Sequence, residues 1–220
     1  MTMETFCFGN PDAQKVLIQP VDEHDLEVLE NEFSIIKSLT DTDFYLIAAK
    51  VGNWNKDLSP WKAPAVFGSE DFGDGAGDFL KALLPLCSDS EKSYYIGGYS
   101  LAGLFALWAH YECDAFDAVV AASPSVWYSG WDAYADAHAP RGAAYLSLGK
   151  QEPRTRNRQM ATVGDAIRRQ ADRFRDIPAT LAWNEGNHFA EPEVRVARGF
   201  EWALRTIAGN GIKRIQSTEK

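Results

Sequence analysis

The chain has 220 residues, with 31 acidic against 22 basic side chains and a formal net charge of -9. Hydrophobic residues make up 45% of it and charged ones 24%, which excludes disorder, because so apolar a chain can bury enough surface to offset its ordering entropy. The acidity speaks against nucleic acid as a partner, since a strongly negative chain repels the phosphate backbone.

Met1 to Thr5 hold no basic stretch leading into an apolar run, so no signal peptide is expected. The longest apolar stretch falls well short of the roughly 18 residues of a membrane span, so no membrane association is expected. Cys7, Cys87 and Cys113 are too few and too widely spaced for a disulfide framework or a zinc site. They read as buried thiols in a reducing compartment, and the protein as cytoplasmic.

Phe6-Cys7-Phe8 suits an edge strand, and residues 15–19 a first interior strand. Leu26, Leu29, Phe33 and Ile36 follow at spacings of three, four and three, one apolar helix stripe with acidic residues opposite. Residues 44–51 form the next strand. The segment 52–77 reads as irregular and carries Trp54, Trp61, Phe67 and Phe72; a long aromatic loop suits a binding site, or simply packs over the core edge. Strands are expected at 94–97, 116–121 and 143–148, with a weaker one at 179–183. Between them lie an all-round apolar helix at 101–108 and amphipathic helices at 155–174 and 191–207. The strands are nearly continuous apolar runs, as in strands covered on both faces. Alternating strands and helices predict an α/β fold, a mostly parallel sheet with helices on both faces and right-handed crossovers. No linker or repeat divides the chain, so residues 1–220 are expected to form one domain.

The segment Tyr94-Tyr95-Ile96-Gly97-Gly98-Tyr99-Ser100-Leu101-Ala102-Gly103 runs from a strand through a glycine pair and a serine into a buried helix. This is the arrangement of a nucleophile elbow, a sharp strand-to-helix turn that lifts a serine hydroxyl above the sheet. The match is G-x-S-x-A, with Ala102 where glycine is usual.

A serine nucleophile needs a base. Of the four histidines, His24, His110, His138 and His188, only His188 follows the last strand and precedes the last helix, where this architecture places its base. His110 reads as a helix-surface or core residue and His138 as solvated. Glu152, after the strand 143–148, is the candidate acid that orients His188. It could instead pair with Arg154 or Arg156, and Asp165 is a poorer candidate because it lies in a helix. The developing oxyanion requires two donors: the backbone N–H of Leu101, and one from the Val21–Asp22 region after the first interior strand. That region is acidic, Asp22-Glu23-His24-Asp25. Asp22 or Asp25 is expected to cap the following helix; the alternative is that these side chains face the cleft and select a polar or cationic group.

Four stretches resemble the esterase branch of the α/β-hydrolase fold that includes enterochelin esterases and S-formylglutathione hydrolase. They are Gly98-Tyr99-Ser100-Leu101-Ala102-Gly103-Leu104-Phe105-Ala106-Leu107, Asp57-Leu58-Ser59-Pro60-Trp61, Ala122-Ser123-Pro124-Ser125-Val126-Trp127 and Gly186-Asn187-His188-Phe189. The resemblance implies Ser100 as nucleophile, His188 as base and Trp127 as a wall of the cleft. Tyr99, Trp54 and Trp61 are the other expected substrate-binding residues. Ala102 and the loop after Val21 depart from the family's pattern, the latter lacking its oxyanion-loop glycines. The length leaves no room for a separate lid, only segments 52–77 and 125–140. The expected activity is hydrolysis of a small or medium carboxylic ester through an acyl-enzyme, without metal or organic cofactor. The same residues would serve thioester or peptide cleavage or acyl transfer. The presence of both Ser100 and His188 argues against a non-catalytic binding protein.

Overall fold

The computed structural model describes residues 3–210, with side chains to Ile207. Residues 1–2, where the stretch read for a leader begins, and residues 211–220, the end of the span assigned to one domain, lie outside it. In chain order the elements are β1 (Thr5–Gly9), β2 (Lys15–Val21), α1 (Glu23–Leu39), β3 (Tyr45–Lys50), α2 (Trp54–Asp57), α3 (Ala76–Leu83), β4 (Ser93–Tyr99), α4 (Ser100–Glu112), β5 (Ala118–Ala122), α5 (Trp131–Ala137), β6 (Ala143–Gly149), α6 (Val163–Asp172), β7 (Ala179–Asn184) and α7 (Pro192–Asn210).

The seven strands form one sheet in the order β1-β3-β2-β4-β5-β6-β7. Only β1 runs antiparallel, as the edge strand on β3. One face is covered by α1 and α7, where Leu29, Ile36, Phe200 and Leu204 pack on Leu17 and Tyr95. The other is covered by α3, α4 and α6, with Phe79, Phe105 and Ile167 in the same cluster as Ile18 and Ile96. From Leu101 to Tyr111 every α4 side chain is buried, as its all-round apolar sequence dictates.

From β2 the chain turns outward to β3, and from β4 it turns the other way to β5. The crevice outside the carboxyl ends of β2 and β4 is therefore the sheet's topological switch point, where ligands bind in open α/β sheets. Pro20 helps open it. Pairing of β2 with β4 ends at Ile18, whereas pairing with β3 continues to Val21, so the proline's missing N–H falls where the β4 ladder has already stopped.

Three expectations are corrected. The helix expected at 155–174 begins only at Val163, because the Asn157 side chain accepts the N–H groups of Gln159 and Met160 and so competes with helical pairing. The irregular segment 52–77 contains α2, a bridge between Ala63 and Phe72, and the start of α3. The stripe of α3, Ala76, Phe79, Leu80 and Leu83, was legible but only two turns long. The cysteines are not all buried: Cys7 is exposed on the outward face of β1, and Cys87 and Cys113 are intermediate. Among the described residues no helix is long and apolar enough to cross a membrane.

One polar pair is sealed between β2 and α1. Glu32 is 3% exposed and accepts from Gln19 Nε2 at 3.3 Å. Burial drives its pKa up from an ordinary 4.5 to about 8; the Gln19 hydrogen bond opposes this, and the charges of Asp25 and Glu193 reinforce it. The folded state thus favours the neutral acid, and the stability held at low pH is lost as pH rises from about 4.5 towards 8. Glu32→Gln should melt with wild type near about pH 4 and above it near about pH 9, measured by circular dichroism.

Candidate active site

Ser100 lies at the switch point, the first residue of α4 directly after β4, with φ at +55°. A non-glycine residue in this region is strained and is held there by its surroundings. The room for the turn comes from Gly98, where a Cβ would lie 2.7 Å from the Ala102 Cβ and 2.8 Å from its carbonyl carbon. Ala102 therefore fits where glycine is usual because its methyl sits against the bare Cα of Gly98. The Ser100 carbonyl accepts the Ser125 N–H at 3.0 Å, which ties the elbow to the segment after β5.

The three residues expected to form a triad come from separate loops and meet here. Ser100 Oγ is 3.0 Å from His188 Nε2, and His188 Nδ1 is 2.8 Å from Glu152 Oε2. Glu152 sits in a 3-10 turn after β6 and is only 8% exposed. Its other oxygen accepts from Ser123 Oγ at 2.7 Å, the Gly149 N–H at 2.7 Å and Arg195 Nη1 at 3.0 Å. Burial alone would raise the Glu152 pKa, but hydrogen bonds from His188, Ser123 and Gly149 outweigh it and hold the carboxyl below its ordinary value. The group is a carboxylate at neutral pH and can only accept, so Nδ1 of His188 carries the ring proton and Nε2 is left to accept from the serine.

The nearby Arg154 and Arg156 do not pair with Glu152; Arg195 of α7 does, across 43 positions of sequence. Arg195 is 2% exposed and was not singled out from the sequence. The one signal was a charge on the buried stripe of α7, beside Val196, Ala197 and Phe200. Ser123 was also missed: it has φ at +45° at the end of β5, which turns its hydroxyl to Glu152.

No family model matches the chain, and no curated protein matches it in sequence. Solved structures do match it in shape. An IroE-like serine hydrolase from Shewanella oneidensis superposes with a TM-score of 0.74 at 14% identity, over 92% of this chain and 76% of that one. The siderophore hydrolase EstA from Aspergillus nidulans gives 0.65 at 15% identity, over 93% and 95%. The enterobactin esterase FES from Shigella flexneri gives 0.65 at 15% identity, over 94% of this chain and 56% of its own. This chain has the α/β-hydrolase fold.

Within that fold the expected oxyanion donors divide. The Leu101 N–H lies in the first turn of α4, where backbone donors have no intrahelical acceptor. Asp22 is a correction: its N–H donates to Asp25 Oδ2 at 3.1 Å, while its own carboxylate accepts from the His24 and Asp25 N–H groups. This capping box starts α1 immediately after β2 and consumes the donors expected of the loop. Val21 is committed as well. It lies opposite Lys50, and its carbonyl accepts from Val51, a parallel pattern that turns its N–H towards Ala49 in the sheet. The acidic side chains are thus used locally, and Glu23 pairs with Lys50 at 3.3 Å.

The aromatic candidates divide too. Trp127 stands in a wall with Phe67, Phe72 and Tyr128, its ring 6.2 Å from both Phe67 and Phe72. Two amides fasten this wall to the loop after Glu152: Gln159 donates to the Trp127 carbonyl and Asn157 to that of Val66. Tyr99 turns to the His188 loop instead: its hydroxyl donates to the His188 carbonyl at 2.7 Å and accepts from Arg195 at 3.1 Å. Trp61 donates to the Ser129 carbonyl and packs on Tyr128 and Tyr134. Trp54 is half-buried against the core at the start of α2. Of the other histidines, His110 is buried and accepts from Gly142, its pKa pushed down to about 4 by burial. His138 is exposed and stacks on Tyr134. Asp165 is exposed and pairs with Arg168.

Gly98→Ala should therefore overpack the elbow and lower stability by about 1–3 kcal/mol in urea unfolding, whereas Ala102→Gly at the same contact should leave the fold intact.

Proposed function

We propose that the chain is a serine hydrolase that cleaves a small or medium carboxylic ester through an acyl-enzyme intermediate, working over its whole length as one domain. The observation that carries this reading is the continuous chain Glu152–His188–Ser100, with hydrogen bonds of 2.8 and 3.0 Å, seated on a strained elbow at the sheet's switch point. Ser100 Oγ attacks the ester carbonyl as its proton passes to His188 Nε2, and Glu152 stabilises the imidazolium so formed. The alkoxide oxygen collects charge at the N-terminus of α4, where the Leu101 N–H and the helix dipole face it. His188 then gives its proton to the leaving alcohol. Water deprotonated by the same imidazole attacks the acyl-serine, releases the acid and restores Ser100. These steps use only side chains and backbone donors, with no metal or organic cofactor.

Named substrates of the similar structures, siderophores and enterobactin, make siderophore esters the first class to try beside simple aryl esters. The partner is then a small molecule, with no nucleic acid or membrane involved. The sparse, widely spaced cysteines suit a reducing cytoplasm.

A fluorophosphonate probe should label wild type and leave Ser100→Ala unlabelled; an unlabelled but folded wild type would sink the reading. On nitrophenyl esters from acetyl to octanoyl, His188→Ala should lower kcat roughly a thousandfold or more. Because the mechanism needs a free base, wild-type kcat/KM should fall on acidification, and a rate unchanged down to about pH 4 would contradict it.

A further inference from the structure

Arg195 makes more hydrogen bonds around the triad than any of its members. Nη2 donates to the carbonyls of Glu185 at 3.0 Å and Asn187 at 2.9 Å, the two that flank Gly186. Nη1 lies 3.0 Å from Glu152 Oε1, 3.0 Å from Ser123 Oγ and 3.1 Å from the Tyr99 hydroxyl. We propose that Arg195 is a positioning residue of the triad: one side of its guanidinium clamps the turn that carries His188, and the other holds the Glu152 oxygen that His188 does not use. This rests on the hydrolase reading above.

The turn needs such a clamp. Gly186 has φ at +86°, and His188 follows it at the edge of the protein, its side chain 25% exposed. Backbone pairs hold part of the turn, the Gly186 carbonyl accepting from the Gln151 N–H at 3.1 Å and the Asn187 carbonyl from the Ala190 N–H at 3.3 Å; Arg195 adds the link from the Glu185 and Asn187 carbonyls to the buried Glu152. A planar fork with fixed donor directions can hold two carbonyls on one side and a carboxylate on the other, whereas an ammonium is a point charge that cannot span both. The Tyr99 hydroxyl, which accepts from Arg195, extends the grip to the His188 carbonyl itself. The clamp thus sets the distance from Nε2 to Ser100 through the backbone on both sides of the imidazole.

The charge has a second consequence. Glu152 is buried, and its negative charge is shared between the guanidinium and the ring of His188. Removing the guanidinium charge would leave the carboxylate to the imidazole alone and favour the protonated ring, which cannot act as a base. The other polar and charged groups near this pair are the Tyr99 hydroxyl, held neutral by burial with its pKa raised to about 12, the Lys150–Glu185 ion pair on the outside of the same turn, Glu191 just before α7 and Glu193 in its first turn. None of them can replace a cation on Glu152 Oε1.

The test follows the rate at which a fluorophosphonate labels Ser100, read by intact mass from about pH 5 to about pH 9, which requires no knowledge of the substrate. Arg195→Lys keeps the charge and loses the fork; it should label roughly ten- to a hundredfold more slowly at every pH, with the acidic limb unmoved. Arg195→Met loses both; it should be slowed and also show its acidic limb displaced upward by about one pH unit. Should Arg195→Met not fold, Arg195→Gln carries the same comparison, with folding checked by circular dichroism. A folded Arg195→Lys that labels at the wild-type rate overturns the clamp. An uncharged variant whose acidic limb stays in place shows that Arg195 only supports the fold and overturns the role of its charge. A wild type that does not label rejects the hydrolase reading, and this inference with it.

Discussion

A carboxylate sealed beneath the surface is the constraint on which the rest of the site depends. Left without partners, the Glu152 charge would cost several kcal/mol in so dry a place. It is instead surrounded by a backbone N–H, a hydroxyl, an imidazole and a guanidinium. Each donor comes from a different element: Gly149 from the end of β6, Ser123 from the end of β5, His188 from the turn after β7 and Arg195 from α7. Satisfying one buried charge therefore draws the carboxyl ends of neighbouring strands and the last helix into one arrangement. Fixing the ring of His188 over the serine follows from that arrangement.

The second constraint is the sheet itself. The reversal of winding between β2 and β4 leaves a crevice at their carboxyl ends, and the elbow lifts Ser100 into it. The strain at Ser100 is tolerated because α4 is buried on all sides and cannot shift to relieve it. On the β2 side the physics goes the other way. The capping box of Asp22 and Asp25 starts α1 without an intervening loop, so backbone donors that would face the cleft are used to begin a helix. In the proposed mechanism the N-terminus of α4 is then the source of positive potential for a developing oxyanion.

Much of this was legible in the residues. Continuous apolar runs marked the interior strands, and the strand–glycine–serine–helix pattern marked the elbow, because both depend on local sterics and hydrophobic periodicity. His188 and Glu152 could be chosen from their places after particular strands. Roles set by direction were not legible. Tyr99 beside the nucleophile reads as a substrate contact, yet its ring turns back under the His188 loop. Trp61 reads as part of a cleft, yet its indole is spent on the Ser129 carbonyl. Local sequence could not place the start of α6 either, since Asn157 stops the helical pattern with its own side chain.

By itself the sequence determined the order of the strands and of four of the helices, the elbow, and which serine, histidine and carboxylate could meet, because the pattern of apolar and small residues allows little else. Only the tertiary structure decided what holds them. Arg195 is one charged residue on an otherwise apolar helical stripe, and nothing within α7 explains it. Its five contacts lie on β4, on the end of β5, on the turn after β6 and on the loop after β7. A buried guanidinium is stable only where such acceptors converge, and that convergence exists only once the sheet and α7 have come together.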